Sequence, residues 1–149
     1  MSKQFKVDQI DHVEVNVPDR YKAAEWYDKA LGFSILPDHK HWADDDRGPL
    51  MISSDNGNTM IALFVGQPQG TNVVRGFKTV AFRVSGENFI NFAKRKPDTV
   101  YYGIDGKPLD SLRVVDHEKA FSVYFHDPCG NELEVTTYDY DYVKSNLEI

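Results

Sequence analysis

The sequence has a single cysteine, Cys129, so no disulfide can form within the chain. No apolar run approaches the roughly 20 residues that a membrane-spanning helix needs, and the opening segment MSKQFKVDQ lacks the apolar stretch of a signal peptide. Basic residues are scattered and outnumbered, 17 against 23 acidic ones, for a net charge of −6. That balance argues against nucleic acid or an anionic membrane as the main partner. These absences predict a cytoplasmic protein in a reducing compartment.

Apolar side chains are sufficient for a single domain over residues 1–149, since 41% of residues are hydrophobic and 13% aromatic. The first half begins with IDHVEVNV, whose alternation predicts a strand with His12 and Glu14 on one face. Asp19 is placed to cap a helix whose apolar stripe recurs every three or four residues until Gly32. Three strand candidates follow: SILPDHKHW, GPLMISS and TMIALFV, the last two separated by the hairpin signal DNGN.

The same order of elements returns in the second half. KTVAFRV alternates like the first strand, ENFINFAKRK predicts a helix that is stopped by Pro97, and SLRVV, AFSVYF and ELEVTT are three more strand candidates. The sequence therefore predicts an α+β fold of two tandem βαβββ modules, 8–66 and 76–138, joined near GQPQGTN. The tail, 139–149, is expected to form a short helix or an arm that packs on a partner.

The register of this repeat singles out particular polar residues. Aligning the two opening strands sets His12 opposite Thr79, and aligning the closing strands sets Glu134 opposite Ala62, or Ile61 if the Gly-Asn turns are matched without a gap. Two such sheets joined edge to edge would curl around a shared polar concavity, which His12 and Glu134 would face. Imidazole and carboxylate from different strands are a common donor set for a divalent metal.

The segments IDHVEVNVPDRYKAAEWYDKALGF and SVYFHDPCGNELEV resemble the vicinal oxygen chelate superfamily, which includes glyoxalases, extradiol dioxygenases, fosfomycin-resistance enzymes and bleomycin-binding proteins. The resemblance covers roughly residues 8–139 and implies a curved half-barrel built from two βαβββ modules. It implies a divalent metal (Zn, Ni, Mn or Fe) held by His12 and Glu134. Relatives with a His-His-Glu triad carry the second His where this chain has Thr79, and glyoxalase-like members use a carboxylate where it has Ala62.

Five side chains are candidates for the missing third donor: His39, His41, His117, His126 and Glu14. His39 and His41 flank Lys40, share a face if the segment is a strand, and are interpreted as surface residues of an edge strand. His117 precedes the seventh strand, in a loop that borders the site in related fosfomycin-type sequences. His117 or Glu14 is therefore predicted to move a proton, the alternative for His117 being an ordinary polar loop residue.

Substrate contacts are predicted mainly from the second module. By resemblance to the fosfomycin-resistance branch, the hydroxyls of Ser122 and Tyr124 point at the ligand. Arg83 shares the face of Thr79, which is a further candidate contact. Arg83 is predicted either to bind an anionic substrate group or to pair with Glu14 or Glu132. Cys129 lies in a turn with no base nearby in sequence, which argues against nucleophilic catalysis.

Three interpretations follow from these residues. The first is a metal-dependent enzyme that binds a small oxygenated metabolite through two adjacent oxygens. Its reaction is expected to be of lyase, isomerase or transferase type. Ring cleavage is disfavoured because ring-cleaving iron sites use two His and one carboxylate. The alternative is a metal-free protein that sequesters a small molecule, as bleomycin-resistance proteins do. A third possibility is an orphan or regulatory member whose remaining ligands serve structure only. The resemblance also implies a homodimer.

Overall fold

A computed structural model describes residues 9–66, 79–94 and 100–147, within two compact units, Met1–Gln69 and Gly70–Ile149. The predicted joint at GQPQGTN, apart from Gly66, and the predicted helix stop at Pro97 lie outside the described residues. No helix in the described ranges is long and apolar enough to cross a membrane. Each unit is an independent βαβββ arrangement with its own sheet.

The first unit places its first and last strands side by side. Its elements are β1 His12–Val17, α1 Arg20–Leu31, β2 Ser34–Ile35, a 3-10 helix Pro37–Asp44, β3 Leu50–Ser53 and β4 Met60–Val65. β4 runs parallel to β1 and antiparallel to β3, and β2 forms the far edge, giving the order β1-β4-β3-β2. The alternation predicted for β1 is confirmed, because His12 and Glu14 are exposed on one face while Val17 on the other is fully buried.

Helix α1 begins and ends where the sequence predicts. The Asp19 carboxylate accepts hydrogen bonds from the backbone N–H groups of Tyr21 and Lys22, which have no partner inside the helix. Gly32 ends the helix in the left-handed region at φ 75°, which costs glycine little because it has no Cβ. The stripe between these caps is buried and packs on the sheet: Ala23, Trp26, Tyr27 and Ala30.

The second strand candidate of the first half is largely wrong. Only Ser34–Ile35 pairs with β3, and the chain then turns into the 3-10 helix, with Pro37 at its start where a missing N–H is tolerated. His39 and His41 therefore do not share the face of an edge strand. Both rings instead contact the Trp42 ring edge-on, with centroids 4.6 Å and 5.8 Å away.

The buried Arg20 fastens the end of this 3-10 helix to α1. Its guanidinium donates hydrogen bonds to the backbone carbonyls of Ala43 at 3.0 Å, Asp45 at 3.2 Å and Gly48. Arg20 is only 7% exposed, so these carbonyls stabilise a charge that would otherwise be costly to bury. An arginine at the start of a helix gives no sequence signal for this role.

The second unit repeats the arrangement. Its elements are β5 Thr79–Arg83, α2 Gly86–Lys94, β6 Val114–Asp116, β7 Phe121–His126, β8 Glu132–Thr137 and α3 Tyr140–Asn146. The sheet order is β5-β8-β7-β6, with β5 and β8 parallel and the other pairs antiparallel. The α+β class with two βαβββ modules is thereby confirmed, and the C-terminal tail forms a short helix, one of its two predicted forms.

The strand pairing also settles the internal alignment. His12 pairs with Met60 in the first sheet, and its counterpart Thr79 pairs with Glu132 in the second. Two residues farther along each strand pair, Glu14 lies opposite Ala62, and Ala81 lies opposite Glu134. Glu134 is therefore equivalent to Ala62 rather than Ile61.

Candidate functional site

In the first unit, His12 lies between two carboxylates on the exposed face of β1. Its Nδ1 is 2.7 Å from Oδ2 of Asp11, and its Nε2 is 3.6 Å from Oε1 of Glu14. Because an ionised carboxylate only accepts, Nδ1 carries the proton and donates to Asp11, leaving the Nε2 lone pair available in the neutral ring. The hydrogen bond with Asp11 is the main cause of the raised pKa of His12, although partial desolvation opposes it.

The face that carries His12 becomes apolar on the neighbouring strands. Met60 and Ala62 lie directly opposite His12 and Glu14, and Met51 lies opposite Ala62 on β3. These three side chains form a buried cluster against which Leu36 and Phe64 pack. His12 thus lies between the exposed polar side chains of β1 and this buried apolar cluster on β4 and β3.

In the second unit, one face of three adjacent strands is predominantly polar. Strand alternation and the pairing of β5, β8 and β7 place nine residues on it. We call this surface the polar face, and its members are Thr79, Ala81, Arg83, Glu132, Glu134, Thr136, Ser122, Tyr124 and His126. Ser122, Tyr124 and His126 alternate along β7, which is why all three lie on this face.

Glu134 is held by a buried hydroxyl. Ser122 is 1% exposed and donates a 2.6 Å hydrogen bond to Oε1 of Glu134 from the adjacent strand. The Ser122 oxygen also lies 3.0 Å from the hydroxyl of Thr136, whose own proton goes to the Phe121 carbonyl. These bonds fix the orientation of one carboxylate oxygen of Glu134, and they commit the single proton of Ser122.

Thr79 and Glu132 form the corresponding pair at the other end of β8. The hydroxyl of Thr79 donates to Oε2 of Glu132, its direct partner across the two strands. The two carboxylates of the sequence ELEVTT therefore have different partners, Glu132 with Thr79 and Glu134 with Ser122.

His117 and Tyr124 meet at the outer side of the polar face. Nε2 of His117 is 3.1 Å from the Tyr124 hydroxyl, and a tight turn with Glu118 at φ 67° positions His117 just after β6. Desolvation is the largest cause, and the Glu134 charge the next, of a raised pKa for Tyr124, so its hydroxyl stays protonated at neutral pH. Tyr124 therefore has His117 on one side and the Glu134 carboxylate opposite it on β8.

His126 and Cys129 have different surroundings. His126 lies opposite Glu132, and its buried Nδ1 has no hydrogen-bond partner in the described ranges. Desolvation and the Asp127 carboxylate raise the pKa of Cys129 to about 11, so its thiol is protonated at neutral pH and is a poor nucleophile.

Each predicted metal ligand has, within its own unit, the kind of hydrogen-bond partner that metal ligands commonly have. Metal-binding imidazoles commonly donate their other ring N–H to a carboxylate, as His12 does to Asp11, and ligating carboxylates are themselves hydrogen-bonded, as Glu134 is. Thr79, which the resemblance aligns with the second histidine of relatives, gives its hydroxyl proton to Glu132. Across the described ranges no three His, Cys, Asp or Glu side chains group in a way that could hold a metal ion.

Comparison with known proteins decides the family. A model of the glyoxalase/bleomycin resistance protein/dioxygenase superfamily matches residues 9–135. The chain belongs to this superfamily. No curated protein matches it.

Solved structures show that the superfamily fold extends over most of the chain. A variant of the fosfomycin resistance protein FosX from Listeria monocytogenes, solved with Mn(II) and 1S,2S-dihydroxypropylphosphonic acid, is 14% identical, with a TM-score of 0.61 over 92% of this chain and 97% of that one. The oxidase ChaP-H2 is 22% identical, with a TM-score of 0.56 over 91% of this chain and 97% of its own. A virulence protein from Salmonella typhimurium is 21% identical, with a TM-score of 0.55 over 90% and 99%. All three are at most 22% identical to this chain, so they support the fold and leave the activity open.

The sequence analysis missed two contacts of the candidate residues, one made by His12 and one made by Arg83. Asp11 directly precedes His12, so the dipeptide Asp-His was an available signal for the hydrogen bond between them. Tyr138, whose ring lies under the Arg83 guanidinium at 5.0 Å, follows the closing strand, and no spacing rule connects it with the end of β5.

Proposed function

We propose that the protein is a metal-dependent enzyme acting on a small oxygenated metabolite, with His12 and Glu134 as metal ligands. The observation that carries this proposal is that each of the two already has an orienting partner, Asp11 for the imidazole and Ser122 for the carboxylate. A bound divalent ion would supply Lewis-acid polarisation of a substrate oxygen. The FosX variant was solved with Mn(II) and a dihydroxylated phosphonic acid, so a protein of this fold holds a divalent ion together with a small oxygenated molecule. The reaction that we propose here is of lyase, isomerase or transferase type.

We propose that His117 and Tyr124 carry out proton transfer. Tyr124 has a protonated hydroxyl beside Glu134, and His117 is exposed within hydrogen-bond distance of it, so His117 can exchange the proton with solvent. Glu14, 3.6 Å from His12, is the alternative base. Thr79, Ser122, Tyr124 and Arg83 are the proposed substrate contacts.

Metal binding by purified, chelator-treated protein tests the proposal. Zn²⁺, Ni²⁺, Mn²⁺ and Fe²⁺ are titrated into wild type and into His12→Ala and Glu134→Gln, with binding followed by calorimetry. Wild type should bind one of these ions with micromolar or tighter affinity, and each variant should lose at least about tenfold.

Matched variants separate ligands from neighbours. His41→Ala removes an exposed imidazole of the same unit, and Glu132→Gln removes the neighbouring carboxylate of β8; both should bind metal like wild type. Absence of binding by wild type, or equal losses in the His12 and His41 variants, would refute the metal assignment. Thr79→His, which restores the triad residue, should tighten binding; if it only destabilises the fold, the assignment of Thr79 to the missing ligand position is wrong.

The metal-free binding protein is a second candidate for two reasons. Thr79, which the resemblance aligns with the missing histidine ligand, is paired with Glu132, and the face of β1 that carries His12 adjoins an apolar cluster. It predicts that His12→Ala leaves ligand binding intact while metal has no effect on it. The homodimer stays a prediction from the family, which sedimentation equilibrium can check.

A further inference from the structure

Arg83 is the one cation among the nine residues of the polar face, and no ion pair joins it to a carboxylate in the described ranges. Its side chain is exposed at the end of β5. Within the described ranges Arg83 therefore has no acidic partner, although two glutamates lie on the same face. The alternative predicted for it, an ion pair with Glu132, is not formed.

The Tyr138 ring holds the Arg83 guanidinium in place. The guanidinium carbon lies 5.0 Å from the ring centroid, within the range of a cation–π contact. Stacking on a ring face leaves the N–H donors at the edge of the guanidinium free, and it reduces the rotamer entropy that an incoming ligand must overcome. The contact therefore orients the donors without satisfying them.

The hydroxyl donors of the polar face are already committed. The protons of Thr79, Ser122 and Thr136 go to Glu132, Glu134 and the Phe121 carbonyl respectively. Tyr124 is within hydrogen-bond distance of His117. Apart from His126, whose unpartnered Nδ1 is buried, Arg83 is thus the free hydrogen-bond donor among these nine residues. Its planar fork matches the oxygens of a carboxylate, phosphate or phosphonate.

Charge is separated along the same face. Arg83 lies opposite Thr136, and Glu134 and Glu132 precede Thr136 by two and four residues on β8. At about 3.3 Å per residue, the glutamates are displaced from Arg83 by about 7 Å and about 13 Å along the strand. A small molecule can therefore place an anionic group at Arg83 while its reacting oxygens lie near Glu134.

We propose that Arg83, preorganised by Tyr138, anchors an oxyanion group of the substrate, so that the substrate is a small anion. The assignment of this anion as substrate rests on the proposed function, whereas the anion site itself can be measured without metal. The affinity for a bare anion should be millimolar, since Glu87, Asp139 and Asp141 line an open cleft with Tyr138.

Methylphosphonate binding to ¹⁵N-labelled, metal-free full chain tests this. Saturable shifts are expected at the Arg83 side-chain Nε–H and at the amides of Thr136 and Tyr138. Arg83→Gln should weaken binding by at least about tenfold, and Arg83→Lys should fall between, because lysine keeps the charge and loses the fork. Lys144→Gln is the matched control, since Lys144 also lies over a tyrosine ring, 5.4 Å from that of Tyr140; it should bind like wild type.

Each outcome bears on the anion site separately from the metal site. No saturable shifts in wild type, unchanged affinity in Arg83→Gln, or an equal loss in Lys144→Gln would overturn the assignment of Arg83. Thermal melts verify that Arg83→Gln is folded, and Arg83→Lys provides the same test if it is not. Anion binding without metal uptake would refute the proposed enzyme and keep the anion site, whereas metal uptake without anion binding would do the reverse.

Discussion

Replacing Ser122 by alanine removes the hydrogen bond that orients Glu134. The bond is 2.6 Å long and its donor is 1% exposed, so water cannot readily take its place. A hydrogen bond to a charged group contributes about 1.5–3 kcal/mol, and about 1.4 kcal/mol corresponds to a factor of ten in an equilibrium constant. If Glu134 is a metal ligand, Ser122→Ala should therefore weaken metal binding by about 10- to 100-fold.

Stability should fall as well, which calls for a control of the same chemistry. Ser53 is also buried, 4% exposed, and its hydroxyl lies 2.7 Å from a carboxylate oxygen of Asp55 in the first unit. Ser53→Ala should lower the free energy of unfolding without changing metal affinity. Urea denaturation and metal calorimetry on both variants separate the two effects.

The result that refutes this reasoning is specific. If Ser122→Ala binds metal as tightly as wild type while its unfolding free energy falls, Glu134 is not a ligand that depends on its orienting hydroxyl. If both serine variants lose metal affinity equally, the loss reflects general destabilisation. If Ser122→Ala alone loses metal affinity, as expected, Ser122→Thr, which keeps a hydroxyl, should recover part of it.

Three further predictions concern other groups. In the metal-free protein, NMR titration should give His12 a pKa above 6.5, and Asp11→Asn should lower that pKa. Because the pKa of His12 is raised in the folded state, the Asp11–His12 pair contributes its full stabilisation below the unfolded pKa near 6.5. That contribution is lost as the pH rises through the folded pKa. Arg20→Met should lower the unfolding free energy by about 2–4 kcal/mol, because it removes hydrogen bonds to three backbone carbonyls, whereas exposed Arg47→Met should match wild type in urea denaturation. Cys129 should react slowly with a disulfide reagent at pH 8, since its pKa is raised to about 11, and a rate like that of free cysteine would contradict this.

The sequence predicted which strand face each candidate residue lies on, but not which side chain is its hydrogen-bond partner. His12, Glu134, Ser122, Tyr124 and Arg83 were all identified from alternation or motif, and the structure places each on the expected face of its strand. Successive side chains of a strand point to opposite faces whichever strand lies beside it, so the face of each residue does not depend on strand pairing. Which side chain takes which proton depends on cross-strand register, which the sequence specifies only through the whole sheet.

The one large error in secondary structure has the same origin. The segment SILPDHKHW was predicted to be a strand, but only Ser34–Ile35 pairs with β3. Beyond Pro37 the backbone instead forms the 3-10 helix that Arg20 holds from α1. Tertiary contacts decide the secondary structure of such short segments. The difference in free energy between helix and strand propensities is smaller than the contribution of a few hydrogen bonds.

The sequence by itself determined the βαβββ repeat, the caps of α1 and the strand face on which each candidate residue lies, because all of these follow from local chemistry and a period of two or 3.6 residues. Only the tertiary structure decided that Ser122 gives its proton to Glu134 while Thr79 gives its proton to Glu132, and that Tyr138 rather than a carboxylate holds Arg83. Most of those contacts join residues far apart in the chain. They form only once two strands align in one register, which is why a motif can name the residues of this site but not their partners.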